Sequence, residues 1–182
     1  MIFTEQNIPG VWVIEPKVFA DSRGYFMESF KQNEFEKHIG KVNFIQDNES
    51  KSSYGVLRGL HYQKGEFSQA KLVRVIKGKV LDVAVDIRKS SPTFGQFVAV
   101  ELSEENKKQL FIPRGFAHGF VVLSEEAIFT YKVDNLYAPQ ADAGIIYNDP
   151  EIGISWQINT EDILLSEKDT KHPLLKDAEV FE

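Results

Sequence analysis

The stretch Lys71-Leu72-Val73-Arg74-Val75-Ile76-Lys77-Gly78-Lys79-Val80-Leu81-Asp82-Val83-Ala84-Val85-Asp86-Ile87 reads as two strands broken at a glycine. In its second half Leu81, Val83, Val85 and Ile87 take alternate positions, with Asp82 and Asp86 between them. Successive strand side chains point to opposite faces, so this alternation predicts a half-buried strand. Lys77-Gly78 between the two runs suits a tight hairpin.

Outward from this stretch, residues 11–19, 25–30, 43–46, 56–63, 97–102, 110–112, 119–123 and 128–133 are further strand-like runs. Phe, Tyr, Val and Ile fill them, residue types that fit a pleated surface. Two stretches alone look helical. Residues 31–38 place Phe35 and Ile39 one turn apart, with Asn33 as cap and Gly40 as stop; residues 103–106 suit a single turn. Many short strands divided by turn signals predict an all-β sandwich or barrel. A double-sheet jelly roll of the cupin type, with a few short helices, suits the strand count. No repeat, low-complexity tract or linker interrupts the chain, so residues 1–182 are expected to form a single domain.

Composition narrows the function classes. The absence of cysteine excludes disulfides and thiolate metal sites and fits a reducing compartment. The N-terminal residues lack a basic start and an apolar core, and no apolar run approaches the ~18 residues of a membrane span. A cytoplasmic, soluble protein with no membrane partner is expected. The net charge of −6 argues against a nucleic-acid partner. It leaves room for a local cationic pocket that takes a small phosphorylated molecule.

Four histidines are the first candidates for chemistry. His38 lies among Glu34, Glu36 and Lys37, and His172 precedes Pro173 in a polar tail; both read as surface residues. His61 and His118 sit at apolar, glycine-rich strand ends, where a lone histidine is most simply a satisfied core residue. Their surroundings say more. Gly55-Val56-Leu57-Arg58-Gly59-Leu60-His61-Tyr62-Gln63 and Pro113-Arg114-Gly115-Phe116-Ala117-His118-Gly119-Phe120 look like the two signature regions of a cupin barrel. A metal-binding cupin would offer His-x-His and a Glu in the first region. Here Gln63 stands two residues after His61, and no acid replaces the Glu. The positions remain without the ligands, so no metal is expected, and His61 is free to act as a base.

Asp21-Ser22-Arg23-Gly24-Tyr25-Phe26-Met27-Glu28-Ser29-Phe30, Gln46-Asp47-Asn48, the two signature regions, Lys71, Tyr131-Lys132-Val133, Asp149-Pro150-Glu151-Ile152-Gly153-Ile154-Ser155-Trp156 and Leu165-Ser166-Glu167-Lys168-Asp169 follow in order along nearly the whole chain. This set resembles the dTDP-4-dehydrorhamnose 3,5-epimerase family. The resemblance implies an isomerase that inverts C3 and C5 of a 4-keto-6-deoxyglucose carried on thymidine diphosphate, with no cofactor. Both carbons flank the C4 ketone, so loss of either proton gives an enolate.

On the resemblance, His61 is the base and Asp169 the carboxylate that orients it. Lys71 stands beside the enolate oxygen, and Tyr131 is the acid on the opposite face. Arg23 and Arg58 hold the diphosphate, and Phe19 and Phe26 stack on the base. Gln46 and Asn48 bond base or sugar, and Glu28, His118, Tyr137, Asp142 and Lys168 complete the substrate contacts. By pattern alone each has a blander reading: a solvated lysine, a packed tyrosine, one of many core phenylalanines. A homodimer is also implied, in which N-terminal strands cross the interface and carry Arg23 and Glu28 into the neighbouring pocket. Gln157 departs from the family, which commonly has proline after this tryptophan, and this puts the local turn in question.

Strict alternation sets Arg58 and His61 on opposite strand faces, so serving one pocket requires a bulge at Gly59. Alternative readings are a relative that inverts one carbon or moves the keto group, a metal-dependent cupin oxygenase, and a non-catalytic sugar-nucleotide binder. The loss of ligands at Gln63 opposes the oxygenase. A base, a lysine and a tyrosine held together oppose the pure binder.

Overall fold

The strands on either side of Gly78 belong to different sheets. The computed structural model describes residues 1–182. In chain order it has β1 (Ile2–Glu5), β2 (Trp12–Glu15), β3 (Val18–Asp21), β4 (Gly24–Met27) and helix α1 (Gln32–His38). Then come β5 (Gln46–Ser53), β6 (Leu57–Gln63), β7 (Lys71–Lys77), β8 (Lys79–Asp86) and β9 (Phe97–Ser103). The last are β10 (Gln109–Ile112), β11 (Phe116–Val122), β12 (Glu126–Val133) and β13 (Asp142–Gly144). A six-stranded sheet runs β1-β2-β10-β7-β12-β5, a five-stranded sheet runs β13-β6-β11-β8-β9, and β3-β4 forms a separate ribbon. Two antiparallel sheets face to face are the expected jelly roll.

The hairpin expected at Lys77-Gly78 is therefore corrected: β7 and β8 do not pair, and the turn is a corner between sheets. Its backbone groups find partners elsewhere. Gly78 N–H donates to the Glu104 carboxylate at 2.8 Å, and Lys79 N–H donates to Ser124 Oγ at 2.8 Å. With those groups satisfied, nothing is lost by separating the strands.

Two clusters show why the alternation in β8 misleads about exposure. Val73, Val75, Leu110 and Phe129 of one sheet meet Val80, Ala84, Phe116 and Phe120 of the other between the sheets. Leu57, Leu60, Leu81, Val83 and Val121 face the opposite way, under Ile152, Trp156 and Leu175 of the C-terminal segment. Both faces of β8 are covered, and Asp82 and Asp86 are fully buried. Asp86 is satisfied by Arg88, Ser91 and Thr93. Asp82 has a different partner, described below.

On the outer face of the six-stranded sheet, Phe35 of α1 packs with Ile14, Leu72 and Phe111. Burying that one ring stabilises the helix by about 1.5–3 kcal/mol. Asn33 is not the cap. Lys31 holds that position with no side-chain bond, and Asn33 falls inside the first turn. Gly40 stops the helix as expected, at φ 113 and with its N–H bonded to Glu36 O at 3.1 Å. Residues 103–106 close one turn, Lys107 N–H to Ser103 O at 3.0 Å, which goes no further. Gln157 sits at φ 61, a region closed to proline, so this turn differs from one built on that residue.

The expected strand at residues 43–46 is displaced, because pairing begins at Gln46 and runs to Ser53. This run carries no apolar alternation. Gln46, Asn48, Ser50 and Ser52 turn one way and Asp47, Glu49, Lys51 and Ser53 the other. It is an edge strand whose inner side faces a polar cavity, so hydrophobic periodicity could not reveal it.

Candidate active site

Between the sheets lies a cavity of about 180 Å³ lined by Ser50, Arg58, His61, Lys71, His118, Phe120, Phe129 and Tyr131. Arg58 and His61 come from β6 and His118 from β11; Lys71 and Tyr131 come from β7 and β12 of the other sheet. The two sheets thus supply opposite walls.

A bulge in β6 makes this convergence work. His118 pairs with His61 and Phe120 with Arg58, so two steps along β11 match three along β6. The additional residue brings Arg58 and His61 to the same side, and Leu57 and Leu60 together to the other. Gly59 permits it. Its φ is 135, and an added Cβ would lie 2.5 Å from Gly119 Cα and 2.9 Å from His118 O. The requirement drawn from alternation is met at the residue named for it.

His61 Nε2 is held by Asp169 Oδ1. Asp169 is buried and also accepts a hydrogen bond from Ser166 Oγ at 2.8 Å. Desolvation acts to raise its pKa, but the hydrogen bond and charge of His61, with Ser166, outweigh it and hold the carboxyl below its usual range. Asp169 is therefore an anion that accepts from Nε2–H. That fixes the tautomer of a neutral His61 and leaves the Nδ1 lone pair as the basic site.

Lys71 has no ion-pair partner. Burial pulls its pKa down to about 8, against the opposing charges of Asp82 and Asp142. His118 Nε2 lies 3.0 and 3.1 Å from the two oxygens of buried Asp82. Desolvation lowers the His118 pKa despite that carboxylate. Tyr131 moves the other way: burial raises its phenol, with Arg58 as a weaker counterforce, so it stays protonated. Arg58 is anchored through Nε to Ser52 Oγ at 3.1 Å. The cavity thus holds an oriented base, a protonated phenol and a desolvated ammonium, a combination suited to moving protons on a carbon acid.

The remaining expected residues divide into groups. Gln46 Nε2 donates to Asn48 Oδ1 at 2.7 Å, on the same face of β5 as the cavity-lining Ser50. Exposed Tyr137 and Lys168 both donate to Asp142, whose side chain is 15% exposed and whose charge reaches Lys71. Phe19, Arg23, Phe26 and Glu28 line no part of the cavity in one chain. The first three ride on the projecting β3-β4 ribbon, where Phe26 is 66% exposed and Arg23 is tied to Asp21. Glu28 follows the ribbon and faces Lys31 at 3.3 Å. Gln63 is fully employed, donating to Phe67 O and Leu136 O and accepting from Ala138 N–H. At the position of a cupin ligand it pins a loop.

The sequence reading passed over Ser50, Ser52, Asp82, Ser166 and His172. An aspartate inside an apolar strand was the available signal for Asp82. The surface placement of His172 is corrected: its side chain is 9% exposed, and its Nε2 lies 3.4 Å from Asp169 Oδ1. The C-terminal segment folds back over β13 and carries it inward, with Ile146 N–H bonded to Pro173 O at 2.9 Å.

A sequence-family model described as dTDP-4-dehydrorhamnose 3,5-epimerase matches residues 5–177. The chain belongs to the dTDP-4-dehydrorhamnose 3,5-epimerase family. The enzyme of that name from Salmonella typhimurium is 58% identical over 179 residues, 98% of this chain and 97% of that one. The crystal structure of the Elizabethkingia anophelis enzyme superposes with a TM-score of 0.94 at 52% identity, covering 97% of each chain. That of the Legionella pneumophila epimerase, in complex with dTDP-4-keto-L-rhamnose, gives 0.93 at 49% identity, covering 97% of this chain and 93% of that one. The chain is an isomerase of this family, and its jelly roll is the cupin-like fold of these epimerases.

Proposed function

We propose that the chain converts dTDP-4-dehydro-6-deoxy-D-glucose to dTDP-4-dehydro-L-rhamnose by inverting C3 and C5 without a metal. The observation that carries this reading is the His61–Asp169 pair, which faces Tyr131 across a cavity that also holds Lys71. His61 Nδ1 takes the proton from one carbon beside the C4 ketone, and its electron pair becomes the enolate. The Lys71 ammonium stabilises the enolate oxygen, and Tyr131 gives its proton to the opposite face of the same carbon. The His61 imidazolium then loses its proton to solvent and the Tyr131 phenolate regains one, which resets both groups, and the second carbon follows. Arg58 faces the diphosphate as a planar cation. His118, fixed by Asp82, contacts the sugar.

The same reading gives residues 1–182 as one cytoplasmic domain that works as a homodimer. The ribbon exposes Val18, Phe19, Tyr25 and Phe26, and β1 leaves an open edge. Buried in a second subunit, the ribbon brings Phe19, Arg23, Phe26 and Glu28 to the neighbouring cavity. Light scattering at assay concentration should give a dimer; a monomer with full activity refutes this arrangement.

The deciding experiment for the chemistry is deuterium incorporation from heavy water. Label should appear at both C3 and C5 of the 4-keto sugar nucleotide, and His61→Ala should abolish both while substrate still binds. Label at one carbon alone would replace the double epimerase by a monoepimerase. Undiminished exchange in His61→Ala would remove His61 as the base.

A further inference from the structure

Behind the catalytic pair stands a third group that the reaction does not use. His172 Nε2 is buried and has no hydrogen-bond partner. It lies 3.4 Å from Asp169 Oδ1 without forming a hydrogen bond to it. Its ring meets that of His61 edge to face, with centroids 5.5 Å apart. One ligand atom from each of His61, Asp169 and His172 lies within 4.8 Å of the others. Gly144 makes room for this arrangement, since a Cβ there would fall 2.5 Å from His172 Nε2.

We propose that His61, Asp169 and His172 form a site for one divalent transition ion of the zinc or cobalt class, which inhibits the chain by capturing its base. The donor set is two imidazoles and one carboxylate, which suits borderline-soft ions over magnesium or calcium. Ligand atoms ~2.1 Å from a tetrahedral ion stand about 3.4 Å apart. The 3.4 Å between His172 Nε2 and Asp169 Oδ1 already fits that edge. The His61–Asp169 contact must open to admit an ion. The site shares His61 with the first cupin signature but takes Asp169 and His172 as its other ligands, whereas Gln63 is engaged with Phe67, Leu136 and Ala138.

The inhibitory part rests on the reading of His61 as base. An ion on Nε2 takes the lone pair there, so the single ring proton of neutral His61 moves to Nδ1. The atom that should accept the substrate's proton then carries one.

Calorimetric titration of the purified chain with Zn²⁺, and visible absorbance with Co²⁺, test the site directly. One ion per chain should bind, deuterium incorporation should fall in proportion to occupancy, and EDTA should restore it. His172→Asn should weaken binding at least about tenfold and retain metal-free exchange. Gly144→Ala, which keeps all three ligands but displaces the His172 ring, should weaken it as well. Absence of stoichiometric binding, binding indifferent to His172→Asn, or full exchange in the metal-saturated chain would overturn the proposal. Binding that depends on His172, in a chain that never exchanges deuterium, would support the site and reject the epimerase reading instead.

Discussion

Raising the pH should switch off Lys71 before Tyr131. Burial brings the Lys71 ammonium down from 10.5 to about 8, while the Tyr131 phenol is pushed up from 10.0. That lowering corresponds to about 3 kcal/mol favouring the neutral amine. On the proposed mechanism only the charged form stabilises the enolate, so kcat/KM should begin to fall above about pH 7 and halve near pH 8. Above that it should fall tenfold for each further unit, because kcat/KM reports groups of the free enzyme. The negative charge of Asp142 raises the Lys71 pKa, so Asp142→Asn should move the limb to lower pH. Lys71→Gln should lower kcat/KM by about 10²–10³ and remove the limb. The assay is initial-rate deuterium incorporation at sub-saturating substrate across pH 6–10. A profile level through pH 9, or an unchanged limb in Lys71→Gln, would show that the lysine charge does not assist the reaction.

Tyr131→Phe should lower formation of the inverted product by about 10²–10⁴ while His61 still removes protons, seen as label returned to the original face. Equal loss of exchange and inversion would place Tyr131 outside the reprotonation step. Gly59→Ala should cost roughly 2–5 kcal/mol in urea denaturation through its positive φ and its clash with Gly119, and should abolish activity by closing the bulge. A stable, active variant would deny the bulge its role. The Asp86 pKa is depressed to about 2: burial acts to raise it, and bonds from Arg88, Ser91 and Thr93 prevail. Its stabilisation is thus complete above about pH 4 and is lost as pH falls toward about 2, a loss of about 2 kcal/mol. Denaturant midpoints over that range should show it, and Asp86→Asn should lack that share of the acid sensitivity.

Alternation, turn glycines and the absence of long helical periodicity follow from local chain geometry, so the all-β class and most strand positions were legible in the sequence. His61, Lys71 and Tyr131 carried weight through an ordered set of motifs, because pattern alone cannot separate a base from a packed ring. Pairing was not legible. Lys77-Gly78 turns the chain in either case, and partners on Glu104 and Ser124 decide that it turns between sheets. The polar strand β5 was hidden because periodicity reports apolar burial, while its inner face borders a cavity.

The sequence by itself determined the strand-rich class, the lack of thiolate ligands, the glycine at 59 and the chemical types that could move a proton. The tertiary structure alone decided which of those types meet. Asp169 lies 108 positions from His61, and His172 reads as a tail residue until the C-terminal segment folds over β13. Buried charges need partners, and only the packing of one sheet on the other reveals that Asp82 serves His118 while Lys71 has none. Local propensity acts over a few residues, whereas desolvation and pairing act over distances that only the folded chain makes short.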